Sequence, residues 1–201
     1  MIQDPETKEY MIVMQYANNG SLLSYLDQNI NKLTWTDKLE CLDTISRHLS
    51  YIHNTGLVHC NLHGGNIILH DDESELEPFI CDLGLSRSVN LRRQNSNIQG
   101  VLPFIAPEVF RTRKFTQKSD MYSFGIIMYL IATGEQPFKD RQLDASLIRE
   151  IMDGLRPSMP DSIPEEYRKL AERCWDADPD KRPDGDALIK AFLTVVSQSS
   201  L

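Results

Sequence analysis

The chain has 201 residues, 41% of them hydrophobic, which suits one large domain with a real core and excludes a disordered tract. A formal net charge of −8 speaks against a general nucleic-acid binder, which needs a basic stripe. Cys41, Cys60, Cys81 and Cys174 are scattered without a C-x-x-C pair, so a disulfide framework or zinc ribbon is not expected and a reducing compartment is.

The N-terminal "MIQDPETKEY" is polar and acidic, unlike a signal peptide. Within it "DPET" signals a turn, with Pro5 pre-setting the backbone. "EYMIVMQYA" follows as an apolar run that predicts a buried strand over Glu9 to Tyr16, ended by Asn18, Asn19 and Gly20. "SLLSYL" predicts a short helix. Thr34 and Asp37 form a capping-box pattern. Leu39, Leu42, Ile45, Leu49 and Ile52 then recur at helical spacing until Asn54 and Gly56 stop the helix. "NIILH" and "PFICDLG", separated by the acidic "DDESELE", read as a hairpin-like strand pair.

Ser86 to Gly100 is polar, basic and aperiodic, and predicts a flexible loop. Its Ser86, Ser88 and Ser96 read as plain loop serines and Arg92 and Arg93 as a solvated charge pair. From Ser119 to Thr133 the chain is apolar nearly all round, which predicts a buried helix closed by Gly134. Its longest apolar stretch, "FGIIMYLIA", falls short of the roughly 20 residues of a membrane span. The remainder alternates helical segments, "ASLIREIMDG", "PEEYRKLAERCW" and "DALIKAFLTVV", with Pro-containing turns. The expected architecture is α+β and mainly helical, with a little sheet near the start. A cytoplasmic protein with no membrane or nucleic-acid partner is expected.

Short motifs line up in order: "HCNLHGGN", "CDLGLS", "GVLPFIAPE", "SDMYSFG" and "RCWDADPDKRP". Together they resemble the large C-terminal lobe of the eukaryotic protein kinase family, in the flavour of tyrosine-kinase-like and tyrosine kinases. The family pattern is H-R-D-L-x-x-x-N, D-F-G and A-P-E, followed by an Asp-led buried helix. The resemblance implies a kinase-like fold over 1–194, with 1–17 as the last small-lobe strand and hinge, 18–194 as the helical lobe and 195–201 as a tail. It implies ATP and Mg²⁺ as cofactors, and a protein substrate or a partner kinase as partner. Signal transduction is the implied setting.

Carried over residue by residue, Asn66 matches the asparagine that holds one Mg²⁺, and Asp82 the aspartate that holds the metals and orients the phosphates. Met14 matches the gatekeeper, the backbones of Gln15 and Ala17 would face adenine, and Ile68 would floor the pocket. His59 would pack behind the loop, Asp120 would hold the loop's backbone, and Glu108 and Arg182 would form a buried ion pair. Leu83 replaces the usual Phe at a position expected to pack in the core.

Other positions depart from the pattern. Asn61 stands where the base aspartate belongs, and an amide cannot take a proton near neutral pH. A positioned base contributes about 10²–10⁴ in rate. Cys60 stands in place of arginine and His63 in place of the lysine of serine/threonine members. Val101 replaces the usual Thr whose hydroxyl contacts the base aspartate. A zinc reading of His59, Cys60 and His63 is disfavoured because Gly64 and Gly65 mark a loop, not a helix that would align ligands. No Gly-rich loop, strand lysine or helix glutamate precedes the hinge, and those parts grip the nucleotide. The expectation is therefore a catalytically impaired lobe. A gene model that omits an upstream small lobe and a scaffold for a partner kinase stand as alternatives. A strand cut off at Glu9 to Tyr16 is expected to lack sheet partners.

Overall fold

The structure is a computed structural model that describes residues 2–11, 16–71, 76–89 and 98–199. At the N-terminal end the Asp4 side chain accepts from the backbone N–H groups of Glu6 (2.7 Å) and Thr7 (3.0 Å), which fixes the turn that the "DPET" signal announces. That turn folds β1 (Ile2–Gln3) antiparallel onto β2 (Tyr10–Met11).

The apolar run is thus neither partnerless nor, where described, buried. Tyr10 is 72% exposed and Met11 47%, and Tyr16 beyond them is also exposed. Periodicity registers an apolar strand but not whether anything stacks upon it, and nothing described stacks on this ribbon. Met14 and Gln15 lie outside the described residues.

α1 (Leu22–Asn29) is capped by Ser21, whose side chain accepts from the Ser24 N–H. α2 (Trp35–Asn54) starts at the capping box: Asp37 N–H donates to Thr34 Oγ1 (3.2 Å) and Thr34 N–H to Asp37 Oδ2 (2.7 Å). Its Leu39, Leu42, Ile45 and Leu49 are buried. β3 (Leu57–Val58) pairs antiparallel with β6 (Arg87–Ser88), so the segment read as one flexible loop from Ser86 begins as a strand. β4 (Ile67–Asp71) and β5 (Leu76–Ile80) form the expected hairpin, with Ile67 opposite Ile80.

α3 (Pro107–Thr112) precedes α4 (Gln117–Thr133), the axis of the lobe. Every residue of α4 from Ser119 to Ala132 is buried, and Gly134 ends it at φ 71. A side chain at Gly134 would also strike Ile30, so the left-handed turn and the close approach both require glycine there. α5 (Ala145–Met152) contacts α3, α6 (Glu165–Cys174) lies along α4, and α7 (Gly185–Ser199) packs on α2. The last helix continues past residue 194 to Ser199, across the position assigned to the start of a tail. The outcome is a helical lobe with three small two-stranded sheets among the described residues.

Candidate functional site

The loop between β3 and β4 takes its shape from the buried helix beneath it. Asp120, 1% exposed in the first turns of α4, accepts His59 N–H at Oδ2 (2.7 Å) and Cys60 N–H at Oδ1 (3.0 Å). His53, near the end of α2, places its Nε2 2.9 Å from the same Oδ2. Cys60 is held at φ 70, a left-handed conformation costing about 1–3 kcal/mol for a non-glycine residue. Two charge-assisted hydrogen bonds from the loop to one carboxylate offset that cost.

His59 is fully buried and ties the loop to the segment after β5. Its Nδ1 accepts from Asn61 N–H (3.3 Å), so the ring proton sits on Nε2 and is donated to the Cys81 carbonyl (3.0 Å). Ser86 Oγ donates to the His59 carbonyl at 3.3 Å, so this serine is an anchoring group and not a plain loop serine.

Asn66 and Asp82 meet at the open end of the β4–β5 hairpin. Cys81 N–H donates to the Asn66 carbonyl (2.9 Å), extending the ladder one step beyond Ile67–Ile80. Asn66 Nδ2 donates to the Asn61 carbonyl (2.9 Å), which leaves Oδ1 as the amide's other polar atom. Asp82 sits at φ 59 and is exposed, its Oδ1 accepting from Gly84 N–H at 3.3 Å. Leu83 beside it is 50% exposed, contrary to the core position expected, because no described element covers it. A hard divalent cation that keeps waters and phosphate oxygens needs only one or two protein oxygens, so this donor pair fits Mg²⁺ in kind. No cluster of three His, Cys, Asp or Glu side chains suited to a metal occurs among the described residues.

The centre of the loop is different in character. Asn61 Oδ1 is buried and has no hydrogen-bond partner. Gly100 lies directly over it: a Cβ there would come 3.3 Å from Asn61 Oδ1. The gap between the loop and the 100–106 segment, walled by Phe104 and Ile105, is about 10 Å³, at the limit for one water molecule.

His63 Nδ1 accepts from Gly65 N–H (3.1 Å), and its ring lies 6.0 Å from that of Phe104. Burial, helped by the proximity of His59 and opposed by Asp82, holds its pKa below the ordinary 6.5. The ring is therefore neutral at neutral pH, with its lone pair spent on Gly65 and its proton on Nε2. Set this way, His63 is a donor and does not replace the missing base. Cys60 is no nucleophile either, since burial, then the Asp120 charge, push its thiol up to about 12.

Toward the hinge, the Ala17 carbonyl accepts from Gly20 N–H at 3.3 Å, and half-buried Ile68 is bridged to Ser21. Across the lobe, Glu108 and Arg182 form a bidentate pair with both N···O distances 2.7 Å. Arg182 also donates to the carbonyls of Asp176 and Lys118 (both 2.8 Å) and lies over the Tyr122 ring at 5.3 Å.

Sequence reading did not single out His53 or Ser123. Ser123 Oγ donates to the Phe104 carbonyl (2.7 Å) and pins the segment that covers Asn61. The signal for His53 was its place one turn after Leu49 on the buried face of α2, although its partner lies 67 residues away. Ser96, Arg92 and Arg93 lie outside the described residues.

A helical lobe that hangs a His–Asn loop and a D-L-G turn from a buried aspartate defines a kinase-type large lobe. The family described as protein tyrosine and serine/threonine kinase matches residues 2–192. The chain belongs to the protein kinase family. It is 30% identical over 191 residues to the RGS domain-containing serine/threonine-protein kinase A of Dictyostelium discoideum, covering 95% of this chain and 16% of that one. It is 29% identical over 203 residues to the serine/threonine/tyrosine-protein kinase HT1 of Arabidopsis thaliana, covering 96% and 51%. A protein kinase and PP2C-like domain-containing protein of A. thaliana is 28% identical over 227 residues, covering 94% and 33%. The chain thus spans about half or less of each of these relatives.

Proposed function

We propose that this chain is a kinase-family lobe of signal transduction that does not itself transfer phosphate and acts by binding a protein partner. One observation carries the reading: at the base position stands an amide, Asn61, whose free oxygen is buried under Gly100 where no substrate hydroxyl reaches it. In this reading Asn66 and Asp82 would hold Mg²⁺, and Ala17 and Ile68, with Met14 and Gln15, would line the adenine side. Mg²⁺ would neutralise the phosphates of ATP when both are bound. Asn66 orients the loop through its bond to the Asn61 carbonyl, and neutral His63, its Nδ1 taken by Gly65 N–H, keeps Nε2–H as a donor. No described residue supplies a proton acceptor at Asn61. The exposed ribbon of Ile2, Tyr10 and Met11 supports a protein partner, such as an active kinase, or a further part of a longer protein. No described helix is long and apolar enough to cross a membrane, and a cytoplasmic setting is part of the proposal.

The test is transfer of labelled γ-phosphate to a generic substrate and to the chain itself, with Mg²⁺ present. No turnover is expected, and Asn61→Asp is expected not to restore it. Robust Mg²⁺-dependent transfer by the purified chain overturns the reading. Residual nucleotide binding is tested separately by a thermal shift with Mg-ATP: a rise in melting temperature at millimolar concentration supports the roles of Asn66 and Asp82, and no shift rules out a useful site, since a ligand at its Kd already stabilises by about 0.4 kcal/mol.

A further inference from the structure

A second concavity lies on the far side of the loop's anchor. The C-terminal end of α2 and the N-terminal ends of α4 and α7 enclose a cleft of about 500 Å³, within the roughly 300–1,000 Å³ of small-molecule sites. Its floor is apolar, with Val58 and Met121 almost fully buried. The Phe115 ring forms one wall and already takes a cation, the Arg87 guanidinium lying 5.7 Å from its centroid. At the mouth, exposed Asp184 and Asp186 outnumber the lining's one ammonium, Lys118. Lys118 Nζ is spent on the Arg182 carbonyl at 2.6 Å. Asp184 caps α7, its Oδ1 accepting from Ala187 N–H at 2.8 Å, while Asp186 Oδ1 has only a 3.5 Å contact from Ser50 Oγ, at the edge of a hydrogen bond. Shape asks for an apolar body and the rim for a positive charge.

His53 lines this cleft and reaches 2.9 Å to Asp120 Oδ2. That same oxygen accepts His59 N–H, and its twin accepts Cys60 N–H. Gln117, on the cleft wall, donates to the His53 carbonyl at 2.7 Å and holds the end of α2 in place. One side chain therefore separates a guest in the cleft from the carboxylate that shapes the loop.

We propose that this cleft binds an organic cation carrying an apolar arm, and that its occupancy is transmitted to the His59–Cys60 backbone through His53 and Asp120. The proposal is independent of whether the loop supports phosphate transfer. It assigns a ligand class by shape and charge: the apolar arm against Val58, Met121 and Phe115, and the ammonium between Asp184 and Asp186.

The test uses 4-phenylbutylamine and 4-phenylbutanoate, which share a body and differ in charge, titrated into the full chain and followed by amide NMR. The amine is expected to bind at or below millimolar concentration and to shift the amide resonances of His59 and Cys60. The acid is expected to bind at least tenfold more weakly. The double variant Asp184→Asn and Asp186→Asn removes both charges while asparagine still caps α7, so folding is retained and is checked by circular dichroism. Amine affinity is expected to fall about tenfold in it, equivalent to about 1.4 kcal/mol. Equal binding of amine and acid, no binding of the amine at 5 mM as the titration limit (about the Kd of a −3 kcal/mol contact), or an unchanged affinity in the double variant overturns the ligand class. Binding that leaves the His59 and Cys60 amides unmoved overturns the transmission.

Discussion

At Asn61 the buried, partnerless oxygen makes a prediction that runs against simple repair. A carboxylate in its place gains no described donor and sits beneath Gly100, so desolvation raises its pKa above the ordinary 3.9 or so. Asn61→Asp is expected to lower stability by about 1–3 kcal/mol at neutral pH. For a carboxyl raised in the folded state, the loss is full above the folded pKa and vanishes as pH falls toward the unfolded value. Thermal melts at pH 7 and pH 4 check this: the gap between variant and parent narrows at the lower pH. His63 carries the opposite slope. Its folded pKa lies below 6.5, so the unfolded chain binds the extra proton between those values. Stability should fall as pH drops below about 6.5, and His63→Gln should show a shallower fall in the same window.

Glu108 and Arg182 form the residue-scale contact with the largest expected effect. Arg182 has no exposed side-chain surface, and removing its carboxylate partner leaves a buried cation. Glu108→Ala is expected to cost about 3–5 kcal/mol by denaturant titration. The pairing was legible only because the "APE" and "DKRP" motifs resemble a known family, since 74 residues separate the partners. His53 and Ser123 illustrate the converse. Each contributes through a contact distant in sequence, and neither falls within a motif that sequence reading assigned a role.

Among elements, those whose ends carry their own chemistry were the most legible. α2 begins at the capping box read from Thr34 and Asp37, and α4 closes on Gly134 as expected, whereas α4 starts two residues before Ser119, at a Thr116–Ser119 capping box that sequence reading passed over. Exposure of the β1–β2 ribbon and of Leu83 was misread, because burial depends on a covering layer that no local pattern encodes. Two substitutions test how the helices meet. A Cβ at Gly125 would come 2.9 Å from Cys174 Cβ and 3.1 Å from the Trp175 nitrogen. Gly125→Ala should therefore push α6 from α4 and cost about 1–3 kcal/mol. Arg113, exposed, ends α3 at φ 58. Arg113→Gly should relieve that conformation and stabilise by on the order of 0.5 kcal/mol, a rise of about 1–2 °C in Tm.

On the scale of the whole molecule, chemistry and architecture sit on different parts. The helical lobe is continuous from α1 to α7, while the strand pair at residues 2–11, with exposed Ile2, Tyr10 and Met11, stands outside that core. Tyr10 and Met11 present large apolar surface on a strand pair that no third strand joins among the described residues, a feature prone to association. The chain should self-associate with rising concentration in sedimentation measurements, and Tyr10→Glu with Met11→Lys should reduce it. An unchanged sedimentation coefficient across concentration in the parent chain counts against an adhesive ribbon.

Asp120 has a consequence for how such a lobe changes over generations. The carboxylate that draws the outline of the loop belongs to the most buried helix, so the outline is inherited with the fold. Substitutions at Cys60, Asn61 or His63 can alter the chemistry without redrawing that outline. A lineage that abandons phosphate transfer keeps the silhouette of a kinase loop for as long as it keeps a folded lobe. Resemblance in backbone shape therefore dates the ancestry of the loop, and only the side chains at its centre record its present work.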